Sequence, residues 1–263
     1  MQNLFTKKKL KPTSSHYLSQ VFWRFARNFL SGKSWTFFYQ ISQKKKFKKL
    51  IKLIDKTNFD LPNGLITVFT GDKDLTNNKK LSTLLIENNT SKPNGSYLDF
   101  LDKEAEKFKN KRNFILEIGI AQGSGLIALK DYFYQSKILG FDIDVETFIK
   151  HKRIECLKFD QLNLETSKKT MQNINLGFDV IIDDGWHHPE ASVKTLCSCL
   201  KYLNYGGTYI IEDIVDSQYN NFFLSISDIL KLKGFKTEYF NFYSELKNTY
   251  GMTGVLKITR KII

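Results

Sequence analysis

The sequence predicts a doubly wound α/β fold, built on a mostly parallel seven-stranded sheet with helices on both faces. From residue 98 onward, short apolar runs typical of buried strands alternate with longer amphipathic segments typical of helices. The last two strand-like runs follow one another without a helix between them. This ending predicts a terminal hairpin and therefore one antiparallel strand.

The elements follow in a regular order. A helix is predicted at residues 96–110, before the first buried strand. Strands and helices then alternate, with strands at 113–120, 137–144, 153–161, 178–184 and 207–214 and helices at 126–135, 165–175, 189–204 and 220–234. The two closing strands are predicted at 236–242 and 254–262. We assign residues 98–263 to this domain, with 61–97 as a loop-rich connector before it.

A basic arm, residues 1–60, precedes the connector. It holds 14 Lys/Arg and 2 Asp/Glu, a net charge of +12, whereas residues 61–263 hold 26 and 25, a net charge of +1. Residues 17–30 and 43–54 have helical, amphipathic periodicity. The favoured interpretation is a helix packed on its own domain with a solvated lysine face. The alternative is binding to an anionic membrane surface, an acidic glycan or nucleic acid.

The composition is that of a soluble or peripheral protein of a reducing compartment, so a cytoplasmic location is expected. The three cysteines form no disulfide framework, and the most apolar window carries three basic residues. No apolar segment follows the N-terminal lysines, which argues against a secretory signal. The oligomeric state is left open, a homo-oligomer included.

Polar residues stand at the ends of five successive predicted strands. In an open parallel sheet, ligands bind beyond the carboxyl ends of the strands. One aspartate at such a position is an ordinary turn residue, but five acidic ends at one rim predict a ligand site. The residues are Glu117 and Gly119, Asp142, Asp160, Asp183 with Asp184, and Glu212 with Asp213.

The first three strand ends fit a nucleoside. Gly119 and Gly123, in the loop "GIAQGSG", allow the backbone to approach a ligand closely. Asp142 ends the second strand, where a carboxylate can accept both hydroxyls of a ribose. Asp160 and Gln161 end the third strand, where a base edge would lie.

This pattern resembles the class I S-adenosylmethionine-dependent methyltransferases. The resemblance implies that the glycine loop, with Glu117, holds the methionine part of S-adenosyl-L-methionine, that Asp142 holds the ribose and that Asp160 faces the adenine. A dinucleotide-binding dehydrogenase is the main competitor, but its G-x-G-x-x-G spacing does not fit "GIAQGSG".

The last two strand ends fit a metal and a base. Asp184, Glu212 and Asp213 would repel one another if they converged, and a divalent cation such as Mg²⁺ would relieve the repulsion. Glu212 and Asp213 are adjacent, so they can share one ion only where the strand has ended or bulged. His187 follows Asp184 by three residues and suits a general base near neutral pH.

The segment "IIDDGWHHPEASVKTLCSCLKYLNYGGTYIIEDI" resembles the metal-dependent sugar O-methyltransferases of macrolide and aminocoumarin pathways. The resemblance implies that Asp184, Glu212 and Asp213 bind Mg²⁺, that His187 is the base, and that a sugar or glycan hydroxyl is the acceptor. Trp186 stands where those enzymes have a small residue, and Tyr205 replaces a proline. Trp186 therefore leaves the shape of the acceptor pocket open.

Three other functions are weighed against this one. A nucleic-acid methyltransferase would use the basic arm to grip phosphates, but no aromatic-proline catalytic tetrapeptide is present, so nucleic acid is the less favoured partner. A hydroxylase-type relative would add an oxygen atom instead of a methyl group. A non-catalytic binding module on the same fold is the third alternative.

Overall fold

The computed structural model describes residues 32–70, 77–92, 95–242 and 252–262. The chain divides into two compact units, Met1–Lys49 and Leu50–Ile263, and the second contains the whole sheet. The helix predicted at residues 17–30 lies outside the described residues. The helix predicted at 43–54 falls within α1, Gly32–Lys56.

The sheet has seven strands in the order β3-β2-β1-β4-β5-β7-β6. β7 pairs antiparallel with both of its neighbours, and the pairs among β1 to β5 are parallel. This confirms the predicted fold class, including the terminal hairpin. The strands are β1 Phe114–Ile118, β2 Lys137–Asp142, β3 Ile154–Lys158, β4 Phe178–Asp183, β5 Leu203–Val215, β6 Phe235–Asn241 and β7 Met252–Arg260.

Helices cover both faces of the sheet. They are α2 Leu81–Glu87, α3 Ser96–Glu106, α4 Ser124–Tyr132, α5 Leu164–Ile174, α6 Pro189–Cys199 and α7 Asp216–Leu232. One core cluster joins α2, α3 and α4 to Ile115, Val180 and Ile210 of the sheet. The alternate strand residues Leu116 and Ile181 are also fully buried. Successive side chains of a strand point to opposite faces, so both faces are covered.

Part of the segment predicted as a connector is packed into the main unit. Leu81, Leu84 and Leu85 of α2 are buried in the core cluster. Ile66 forms an isolated parallel bridge to Leu176. The turn-rich composition of this segment reflects its short elements, which still contribute apolar side chains to the core.

None of the described helices is both long and apolar enough to cross a membrane.

Candidate functional site

The glycine loop after β1 is in direct contact with the loop after β4. Gly119 has φ +85°, and a Cβ atom on it would overlap the carbonyl oxygen of Asp184. The Asp184 N–H donates to the Ile118 carbonyl oxygen at 2.9 Å, which fixes the approach of the two loops. Gly123, with φ +81°, is the N-cap of α4. Glycine is required at position 119 because both the conformation and the space exclude a side chain.

Asp142, at the end of β2, holds the backbone on both of its sides. Its Oδ2 accepts a hydrogen bond from the Ile120 N–H at 3.0 Å, and its Oδ1 accepts one from the Asp144 N–H at 2.9 Å. A carboxylate oxygen has two lone pairs, so each oxygen retains capacity for a ligand hydroxyl. The predicted ribose residue therefore also shapes the glycine loop.

The side-chain amide of Gln161 makes three hydrogen bonds within the protein. Its Nε2 donates to Asp183 Oδ1 at 2.8 Å and to Thr195 Oγ1 at 3.0 Å, and its Oε1 accepts from the Trp186 N–H at 2.8 Å. These bonds tie the loop after β3 to β4, α6 and the loop after β4. Gln161 faces the site, but its amide is engaged in positioning the surrounding loops.

A cavity of about 530 Å³ connects the predicted nucleoside and metal residues. Its volume falls within the range of about 300–1,000 Å³ that small-molecule sites occupy. Among the residues that line it are Gly119, Asp142, Asp160, Asp184, His187 and Asp213. The carboxyl ends of β1 to β5 thus open into one space, as the strand ends predict.

Asp184, His187 and Asp213 come together at one side of this cavity. One ligand atom from each lies within 4.8 Å of the others. His187 Nε2 is 3.7 Å from Asp213 Oδ2, and His187 Nδ1 is buried without a hydrogen-bond partner in the described part of the chain. The carboxylate oxygens of Asp184 and Asp213 are donors that fit a divalent cation, and the His187 ring lies beside them.

A β-bulge separates Glu212 from Asp213. β5 continues to Val215, but its pairing with β7 shifts between Ile211 and Ile214, and Asp213 has φ +53°. The bulge adds one residue to β5 at the position of the two acids. The two adjacent acids were expected to reach one ion only where the strand ends or bulges, and the structure has a bulge.

Glu212 contacts Lys92. The Lys92 ammonium donates to Glu212 Oε2 and, at 2.9 Å, to Asp184 Oδ2. The Lys92 side chain is 7% exposed and that of Glu212 is 1% exposed. Glu212 Oε1 has no hydrogen-bond partner among the described residues. The carboxylates of Asp184 and Glu212 therefore lie on the two sides of a buried lysine.

Three acidic residues at the site, Glu117, Glu212 and Asp213, have raised pKa values. Burial, with a smaller contribution from the charges of Asp184 and Glu212, raises the pKa of Glu117 to about 8 against the opposing effect of Lys92. Burial likewise raises the pKa of Glu212 to about 7 and, with the Asp184 charge, the pKa of Asp213 to about 6.

The pKa of Lys92 is also raised, although burial acts to lower it. Burial by itself lowers the pKa of Lys92, but the charges of Asp184 and Glu212 outweigh burial, so the pKa lies well above the ordinary lysine value. Lys92 is therefore a fixed positive charge in a site with more negative than positive groups.

Trp186 and His188 flank the base candidate. The Trp186 side chain is 43% exposed and stacks on His188, with ring centroids 5.4 Å apart. His188 is the N-cap of α6, where its Nδ1 accepts from the Glu190 N–H at 3.2 Å. This contact gives His188 a structural role at the start of α6.

Lys92 is a site residue that was not predicted from the sequence. It lies in the turn-rich stretch "SKPNG" of the predicted connector, and no motif or periodicity marks it. The predicted residues Gly119, Asp142, Asp160, Asp184, His187 and Asp213 share one cavity, whereas Glu212 lies with Lys92. Glu117 and Gly125 lie in an adjoining cavity of about 290 Å³ that Lys92 also lines.

Part of the chain is similar in sequence to sugar O-methyltransferases. No family model matches the chain. Mycinamicin VI 2''-O-methyltransferase of Micromonospora griseorubida is 30% identical over 43% of this chain and 30% of its own length. Demethylmacrocin O-methyltransferase of Streptomyces fradiae is 28% identical over the same shares. The chain thus spans less than a third of the length of these curated relatives.

A solved structure is similar over more of the chain. The methyltransferase MycE of the mycinamycin biosynthetic pathway, in complex with Mg, SAH and mycinamycin VI, aligns with a TM-score of 0.55. The alignment covers 70% of this chain and 54% of MycE at 20% sequence identity. The chain therefore has the class I S-adenosylmethionine-dependent methyltransferase fold, and its sequence is similar to sugar O-methyltransferases over less than half of its length.

Proposed function

We propose that this chain is an S-adenosylmethionine- and Mg²⁺-dependent O-methyltransferase that acts on a sugar or glycan hydroxyl. The observation that carries the proposal is the meeting of Asp184, His187 and Asp213 in the cavity that also contains Asp142 and Asp160. The cavity therefore has carboxylates suited to a metal ion next to carboxylates suited to a nucleoside. A methyl donor and a hydroxyl acceptor could bind there side by side. The similarity to sugar O-methyltransferases points to the same chemistry.

The donor would lie along the ends of β1, β2 and β3. Gly119 and Gly123 would hold its methionine part, with Glu117 beneath the loop, and Asp142 would accept its ribose hydroxyls. Asp160 would face the adenine. Because the Gly119 loop touches the backbone of Asp184, this placement brings the donor next to the acceptor side of the cavity.

Asp184 and Asp213 would hold the Mg²⁺, and Glu212 is the third ligand that we propose. Their oxygens are the donors that Mg²⁺ prefers, and Glu212 Oε1 is a buried acceptor without a partner in the described residues. When bound, Mg²⁺ supplies Lewis acidity, which lowers the pKa of a coordinated hydroxyl.

His187 would act as the general base. Its ring borders the same cavity, and its Nε2 lies 3.7 Å from Asp213 Oδ2. A neutral His187 can accept the hydroxyl proton as the hydroxyl oxygen attacks the donor methyl group. A positioned base of this kind contributes about 10²–10⁴-fold to a rate.

The test is methyl transfer from labelled S-adenosylmethionine to a panel of glycosides, with Mg²⁺ or with a chelator. We expect His187→Ala to lose turnover and to retain S-adenosylhomocysteine binding by calorimetry. His151→Ala is the matched control, because His151 is exposed and outside the cavity. Product mass separates an added methyl group from an added oxygen atom.

Two results would contradict the proposal. Failure of the wild-type protein to bind S-adenosylhomocysteine at submillimolar concentration would remove the donor. Full turnover in the presence of a chelator, with Asp184→Asn as active as the exposed control Asp228→Asn, would remove the metal.

A further inference from the structure

Lys92 occupies the centre of the acidic group at the rim of the sheet. Its ammonium bonds Asp184 Oδ2 at 2.9 Å and also bonds Glu212 Oε2. The carboxylates of Asp184 and Glu212 both lie against this ammonium, and Glu117 lines the same small cavity as Lys92. A single lysine therefore serves as the positive partner of several acids.

A buried lysine in this position has a cost. Burying an ammonium and two carboxylates removes their hydration, and the contacts offset this loss only when the geometry is good. A divalent cation would use some of the same oxygen atoms, because Asp184 is shared between Lys92 and the group formed with His187 and Asp213. The lysine and the ion therefore depend on the same acid.

We propose that Lys92 is a positioning residue that acts as an internal counter-ion of the metal site. Lys92 holds the Glu212 carboxylate by a hydrogen bond and offsets the repulsion among the acids while no divalent ion is bound. Its positive charge also weakens the binding of that ion. This inference rests on the proposed function, because it assumes that Asp184 and Asp213 bind a divalent cation.

The expected effect follows from the distance between the charges. A unit charge within about 4–6 Å changes the proton affinity of a carboxyl group by about ten- to a thousandfold, and it acts on a bound cation in the same direction. Removing the Lys92 charge also frees Glu212 Oε2. Both changes raise the affinity of the site for a divalent ion.

The experiment measures Mn²⁺ binding to the full chain by electron paramagnetic resonance. We expect Lys92→Met to bind Mn²⁺ about tenfold more tightly than the wild type or better, and Lys92→Arg to stay close to the wild type. With chelator present, Lys92→Met should unfold at a lower temperature, and Mg²⁺ should raise that temperature more than it does for the wild type.

Lys257→Met is the matched control. Lys257 is 9% exposed and pairs with the buried Glu104 at 3.0 Å, so the substitution removes a similar buried ion pair elsewhere. We expect it to lower stability without changing Mn²⁺ affinity. Should Lys92→Met fail to fold, the double variant with Glu212→Gln removes both partners. Its Mn²⁺ affinity is then expected to exceed that of Glu212→Gln alone.

The outcomes separate this inference from the proposed function. Unchanged or weaker Mn²⁺ binding in Lys92→Met, with binding intact in the wild type, overturns the role of Lys92 alone. Absence of Mn²⁺ binding in every variant overturns the metal site and the role of Lys92 together, and S-adenosylhomocysteine calorimetry then decides separately whether the donor site stands.

Discussion

Replacing Gly119 with alanine should disturb both the fold and the site. The backbone at Gly119 has φ +85°, a region that costs an L-residue about 1–2 kcal/mol. The new Cβ would also overlap the carbonyl oxygen of Asp184, and relieving overpacking of this kind costs about 1–3 kcal/mol. The sum is a loss of about 2–5 kcal/mol in the free energy of unfolding. Part of that loss comes from displacing the loop that carries Asp184.

Gly234→Ala is the matched control for backbone strain. Gly234 has φ +90°, and a Cβ there would meet nothing within 4 Å. It should therefore lose only the conformational part, about 1–2 kcal/mol. Urea unfolding of the wild type and both variants measures the difference, and calorimetry with S-adenosylhomocysteine should show weakened binding in Gly119→Ala alone. Equal losses of stability in the two variants, with equal ligand binding, would refute the contact between the two loops.

Three further predictions concern buried polar groups. Gln161→Leu should lower the free energy of unfolding by about 1–3 kcal/mol, measured in urea, because Asp183 loses a hydrogen bond. Burial raises the pKa of Asp179 from 3.8 to about 6, so the folded state binds a proton that the unfolded chain releases. The free energy of unfolding of the wild type should therefore fall by up to about 3 kcal/mol as the pH rises from 4 to 6. Asp179→Asn should not show this loss. Lys257→Met should cost about 1–3 kcal/mol in thermal or urea unfolding, because the buried Glu104 carboxylate loses this partner and keeps Lys107.

The fold was predictable because it depends on local patterns. Apolar runs of strand length, separated by amphipathic helices, define a doubly wound sheet, and the topology then brings the ends of the strands to one rim. Asp142 ends β2, Asp184 follows β4 and Asp213 lies two residues before the end of β5, so chain order brings all three to the same rim.

The finer arrangement of the site was not predictable in the same way. Lys92 reaches Asp184 and Glu212 across 92 and 120 residues of sequence, and no periodicity or motif carries information over such distances. The separation of Glu212 from Asp213 depends on a bulge, which the sequence permits without requiring. Gln161 stands where a base-contacting residue is expected, yet its amide bonds are used between loops.

The bulge in β5 brings two adjacent acids to the rim of the sheet and interrupts the regular pairing with β7. Between Ile211 and Ile214 the strand advances three residues while β7 advances two, from Leu256 to Gly254. The two strands return to register at Val215, because β7 then advances two residues, from Gly254 to Met252, while β5 advances one. Deleting either Glu212 or Asp213 would remove one acid from the rim and would also leave the last pair of the two strands one residue out of register, so the acidic pair and the end of this strand pairing cannot be changed independently.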